Sequence, residues 1–150
     1  MNKKVKSEEV KDLPMTNLDN IFFVIDVDLY MCQFIISLNQ DNTQLTESLI
    51  DEHVLSSLHD PDYEIYMGPF LSMKKTTLAT TAFYPTGVVA VKLNHFSPGD
   101  PDCMSILVHE LSHAAMFTFD RIGMPHNGDT DEAYSYLLGF LMKKFFENIR

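Results

Sequence analysis

His109 and His113 stand four residues apart in the run His109-Glu110-Leu111-Ser112-His113. On an α-helix of 3.6 residues per turn that spacing puts both imidazoles on one face, where they can share a metal ion. Glu110, three residues before His113, leans over the same site without having to be a ligand. Its carboxylate can take a proton from an attacking water and return it to a leaving group. Eighteen residues separate His113 from Glu132, which lies in Asp129-Thr130-Asp131-Glu132 at the start of a second apolar helical pattern. Two histidines and one carboxylate would leave the fourth position of a tetrahedral zinc ion (Zn2+) open for water or substrate. The chemistry this set predicts is hydrolysis of an amide bond, with His109, His113 and Glu132 as metal ligands and Glu110 as general base.

Other residues compete for these roles. Asp129, Asp131 and His126 are alternative third ligands, and Asp131 can instead orient a liganding imidazole. Glu132 has a second use, because Asp129 to Glu132 also spells a capping box that closes a helix start. Tyr134, Tyr136 and His126 are candidates for stabilising a developing oxyanion, although tyrosines at helical spacing also serve as core. A metzincin-type site takes a third histidine six positions after the second, and Phe119 stands there, with Met116 in place of the loop glycine, so that class is excluded. His53, His59 and His95 are isolated. Cys32 and Cys103 are too few and too distant for a disulfide framework or a four-cysteine metal site, so both are expected to be free thiols.

The elements that must position these groups follow from periodicity. Ile21 to Leu38 is rich in β-branched and aromatic residues, which favours strand, with a long helix as the competing reading. Thr43 or Thr46 caps a predicted helix carrying Leu45, Leu49, Ile50, Val54, Leu55 and Leu58, which packs on the sheet and ends at Pro61. Gly68-Pro69 predicts a turn, and Thr76 to Thr81 a strand or loop. Pro85-Thr86-Gly87 turns the chain into a strand from Val88 to Leu93, in which Val89, Val91 and Leu93 alternate with Lys92 on the opposite face. Asp100 or Asp102 caps the helix bearing the histidines, which runs to about Arg121 and is closed by Gly123 and Pro125. A last helix from about Asp131 to Glu147 buries Ala133, Tyr134, Leu137, Leu138, Leu141 and Phe145. The expected fold is α+β, a small twisted sheet backing the histidine helix and the C-terminal helix. A substrate strand would pair with the edge formed by Gly87 to Asn94.

With 150 residues and 45% hydrophobic content the chain suits one domain with a real core. Residues 1–18, polar, charged and broken by Pro14, are expected to form a flexible N-terminal arm, leaving residues 19–150 as the domain. Twenty-one acidic against eleven basic side chains give a net charge of -10, which repels a phosphate backbone and argues against a nucleic-acid partner. No apolar run suits a signal peptide or a membrane span, so a cytoplasmic protein with no membrane partner is expected.

His109 to His113 with Glu132 at this separation resembles the gluzincin branch of HExxH metallopeptidases. Within that branch, Ala133-Tyr134-Ser135-Tyr136-Leu137-Leu138-Gly139-Phe140-Leu141 is similar to small single-domain zincin-like proteins encoded by bacteriophages, with ImmA/IrrE-type peptidases a more distant likeness. The resemblance covers roughly Gly87 to Phe146. It implies a zincin-like fold, zinc at His109, His113 and Glu132, Glu110 as base, and a peptide or protein substrate. For a phage protein it implies the host cytoplasm. The chain lacks the second substrate-binding lobe of larger gluzincins, so the alternative is a non-catalytic zincin-fold binding protein, a phage factor acting on a host protein.

Overall fold

A computed structural model describes residues 18–150, an α+β arrangement of a four-stranded mixed sheet and four α-helices. In chain order the elements are β1 (Ile21–Val27), a 3-10 turn (Asp28–Tyr30), β2 (Cys32–Leu38), α1 (Asn42–Asp51), α2 (Tyr63–Leu71), β3 (Ala79–Phe83), β4 (Val88–Leu93), α3 (Pro101–Arg121) and α4 (Asp131–Asn148). The expected arm falls almost wholly outside the described residues. At its end, Leu18 is buried in the core and its main-chain oxygen accepts from Asn39 Nδ2 at 3.2 Å.

The sheet runs β1-β2-β4-β3, with β1/β2 and β3/β4 antiparallel and β2/β4 parallel. The dense apolar run from Ile21 is therefore a hairpin of two strands, and Met31 takes the left-handed conformation (φ 49°) that reverses the chain. β2 and β4 are central strands covered on both faces, which explains why Phe34-Ile35-Ile36 and Val88-Val89-Ala90-Val91 are continuously apolar. On one face Phe34, Ile36, Val89, Val91 and Leu93 pack with Leu107, Leu111 and Ala115 of α3 and Leu137, Leu141 and Phe145 of α4. On the other, Ile35, Ala82 and Ala90 pack with Leu45 and Leu49 of α1 and Tyr66, Met67 and Phe70 of α2.

Three expectations are corrected and one is extended. β4 is paired on both sides, so among the described residues the free edge beside α3 is β3, not the segment from Gly87 to Asn94. Lys92 does lie on the face opposite Val89, Val91 and Leu93, but that face is covered too, so the side chain is buried and its Nζ donates to the main-chain oxygen of Gln40 and to Asn94 Oδ1. The cap of α1 is Asp41, in a capping box with Gln44, and the helix ends at Asp51 because His53 (φ 58°) closes a Schellman motif, Val54 N–H donating to Leu49 O at 2.9 Å. Leu58 lies beyond that helix, exposed. Finally, Gly68-Pro69 lies inside α2 and not in a turn, since burial of Tyr66, Met67 and Phe70 outweighs the donor that Pro69 removes from the helix.

Candidate metal centre

The helix that carries the histidines is bounded as its sequence dictates. Asp100 caps it by accepting from Asp102 N–H, Pro101 occupies the first turn where a missing N–H is harmless, and Gly123 (φ 70°) ends it in a second Schellman motif. Leu107, Leu111, Ala114, Ala115, Thr118 and Phe119 form its buried side, against the sheet and α4. Rotation of 100° per residue then puts His109 and His113 on the solvent side and turns Glu110 inward.

The two imidazoles meet: their Nε2 atoms lie 3.0 Å apart, one donating to the other, with ring centroids 4.6 Å apart and planes nearly perpendicular. Two nitrogens about 2.0 Å from one tetrahedral zinc lie roughly 3.3 Å apart. The observed pair is within a small side-chain rotation of that, so the two donors fit a shared ion. His113 also stacks on Phe117, which in turn stacks on Phe83 at the end of β3.

Glu110 is only 9% exposed, and one of its carboxylate oxygens, Oε2, accepts from the hydroxyl of Thr81 on β3. Ala79, Thr81 and Phe83 alternate toward α3 while Ala82 faces the other layer. Between β3 and the start of α3 lies an open cleft of about 450 Å³, lined by Leu78, Ala79, Ser105, Ile106, His109 and Glu110. The sequence pattern had no means of finding Thr81: it sits 29 residues from Glu110, in a threonine-rich stretch of weak periodicity.

Glu132 is exposed on the first turn of α4. Its alternative use in a capping box is not realised, because the N-cap is Thr130, which makes no side-chain cap and instead donates its hydroxyl to Pro125 O. Among the described residues no group of three or more His, Cys, Asp or Glu side chains gathers in a geometry that holds a metal ion. The structure therefore brings His109 and His113 together, seats Glu110 beside the cleft that His109 also lines, and leaves Glu132 apart.

The competing residues are placed differently. Asp131 faces His126 (3.5 Å to Nε2) and orients that imidazole rather than His109 or His113. His126 lies over the Tyr134 ring at 4.4 Å between centroids, and the Tyr134 hydroxyl donates to Ser112 O at 3.3 Å, which engages its proton. Asp129 and Tyr136 are exposed, as are His53, His59 and His95. Cys32 and Cys103 are free thiols. No described helix is long and apolar enough to cross a membrane. The chain matches no known family, no curated protein and no solved structure.

Proposed function

We propose that this chain is a zinc-dependent hydrolase of zincin-like fold, a gluzincin-type metallopeptidase acting on a peptide or protein substrate. The observation that carries the reading is the His109–His113 pair, convergent at 3.0 Å, on the same helix as a carboxylate at the cleft beside a free strand edge. His109 and His113 would hold the metal; Glu132, the third ligand that the sequence spacing offers, stands apart from the pair and would have to close on it when the ion binds. Zinc bound there supplies Lewis acidity, acidifying a water toward neutrality and polarising the scissile carbonyl.

The chain's own groups supply the rest. Glu110 has one oxygen engaged by Thr81 and the other free to take a proton from the attacking water and pass it to the leaving amine. An extended peptide can add to the open side of β3 by main-chain hydrogen bonds, with Leu78 and Ile106 offering apolar contact to one of its side chains. The net charge of -10 argues against a nucleic-acid partner.

Metal content by mass spectrometry, on untagged protein purified without chelators and beside a Glu132→Ala variant, tests the reading. Near-stoichiometric zinc that falls in the variant supports it. No metal in the native protein, even after zinc is offered, would sink it and leave a non-catalytic binding protein as the better account.

A further inference from the structure

A carboxylate is itself a good zinc ligand, and Glu110 follows His109 directly in the chain. A free Glu110 side chain would compete for the position that the proposed chemistry reserves for water. The structure separates the two kinds of group. The imidazoles are on the exposed side of α3, and Glu110 is turned inward and bonded across to the sheet.

We infer that Thr81 is the positioning residue of this site: its hydroxyl fixes the Glu110 carboxylate against β3 and keeps it out of the ligand set begun by His109 and His113. The inference rests on the zinc reading for its consequence, and on geometry for the latch itself.

Thr81 is suited to the task. Its Oγ1 donates to Glu110 Oε2 and lies 3.3 Å from the main-chain oxygen of the same residue, so it addresses both ends of Glu110. A β-branched side chain is stiff at χ1. The backbone beneath it is held by pairing with β4, Thr81 opposite Val91. A hydroxyl donating to a carboxylate forms a charge-assisted bond, stronger than one between neutral groups, and here it is half-buried. Thr81 engages only one carboxylate oxygen of a residue that lines the cleft, so the other is not tied up by the latch.

Three variants test the latch: Thr81→Val, nearly isosteric and a good strand former without the donor; Thr81→Ser, which keeps it; and Thr81→Val combined with Glu110→Gln. Circular dichroism first confirms that each is folded. Cobalt(II) absorption then reports the ligand set, and competition with a chromophoric chelator reports zinc affinity. The expected result is a wild-type spectrum and affinity for Thr81→Ser. Thr81→Val should show altered cobalt bands and zinc binding tighter by about tenfold, within the range over which partners around a metal site alter affinity. The double variant should lose both changes. Wild-type bands and affinity in Thr81→Val would overturn the inference.

A second readout uses metal-free protein, so the latch is decided even if the native chain binds no metal and the hydrolase reading fails. The side-chain carboxyl 13C signal of Glu110, assigned by its loss in Glu110→Gln, should move in Thr81→Val and stay in place in Thr81→Ser. A signal unmoved by Thr81→Val would overturn the latch.

Discussion

Lys92 Nζ donates to the main-chain oxygen of Gln40 at 2.5 Å, tying the central strand β4 to the segment that leads into α1. Burial pushes the Lys92 ammonium below its ordinary value of 10.5, with the Asp41 carboxylate opposing the shift. The folded chain therefore releases this proton at lower pH than the unfolded chain. Between the two values the unfolded state binds more protons, so stability rises with pH there, and below the folded value the slope vanishes. Lys92→Met removes the slope and leaves Gln40 O and Asn94 Oδ1 without this donor, at a cost of about 1–3 kcal/mol. In urea denaturation at several pH values, the wild-type advantage over Lys92→Met should grow as pH rises toward 10.5. A difference independent of pH would contradict the account. Tyr84, whose phenol is pushed up by burial and by Tyr66, acts in the opposite sense at alkaline pH but cancels in the comparison.

Glu110→Gln keeps the size of the side chain and an oxygen for the Thr81 hydroxyl, but cannot accept the proton from water. If Glu110 is the base, turnover of a cleaved peptide should fall by about 10²–10⁴-fold with zinc content unchanged. Mass spectrometry of a peptide library before and after incubation gives the rate, and metal analysis of the same sample gives the occupancy. Undiminished cleavage by the variant would remove Glu110 from the chemistry.

Gly87 has φ 87°, and a Cβ placed there would lie 2.9 Å from the Arg121 guanidinium carbon and 3.0 Å from Met31 O. The guanidinium can swing away; the backbone carbonyl of Met31 cannot without disturbing the β1–β2 turn. Gly87→Ala should therefore lower stability by about 1–2 kcal/mol from the left-handed backbone alone, with the carbonyl contact adding to it. Pairing it with Arg121→Ala should recover little, because the backbone term remains. Full recovery in that double variant, by urea titration, would assign the cost to the side chain instead.

The parts legible in the sequence are those set by neighbours in the chain. The limits of α3 follow from Asp100-Pro101 and Gly123, and the meeting of His109 with His113 follows from helix geometry over one turn. Turn chemistry at Pro85-Thr86-Gly87 likewise starts β4, with Gly87 N–H donating to Tyr84 O at 3.0 Å. What escaped depends on distant segments. The alternation Val89, Val91, Leu93 suits a half-exposed strand equally well, and only the parallel pairing with β2 and the cover from α1 and α2 make Lys92 an interior residue. The Gly68-Pro69 pair is a turn by local preference and a helix by burial, and burial prevails. The cap of α1 lies two residues before Thr43 and five before Thr46, because Asp41 and Gln44 satisfy each other more fully than either threonine can. Thr81 meets Glu110 solely because β3 takes the sheet edge beneath α3.

α3 is gripped on two sides, by β3 through Thr81 and by α4 through Tyr134, with its apolar side filling the core between them. Its backbone is ordered by folding before any ion arrives. An ion taken up by His109 and His113 would meet two imidazoles whose Cα positions are settled by folding, and the ordering they still require is rotation about side-chain bonds. That entropy is on the order of 1 kcal/mol for each ring, far below the cost of organising a loop to the same end. Preorganisation of this kind makes affinity at the pair a property of the folded scaffold, and anything that loosens the packing of α4 on this helix would weaken binding without touching either histidine.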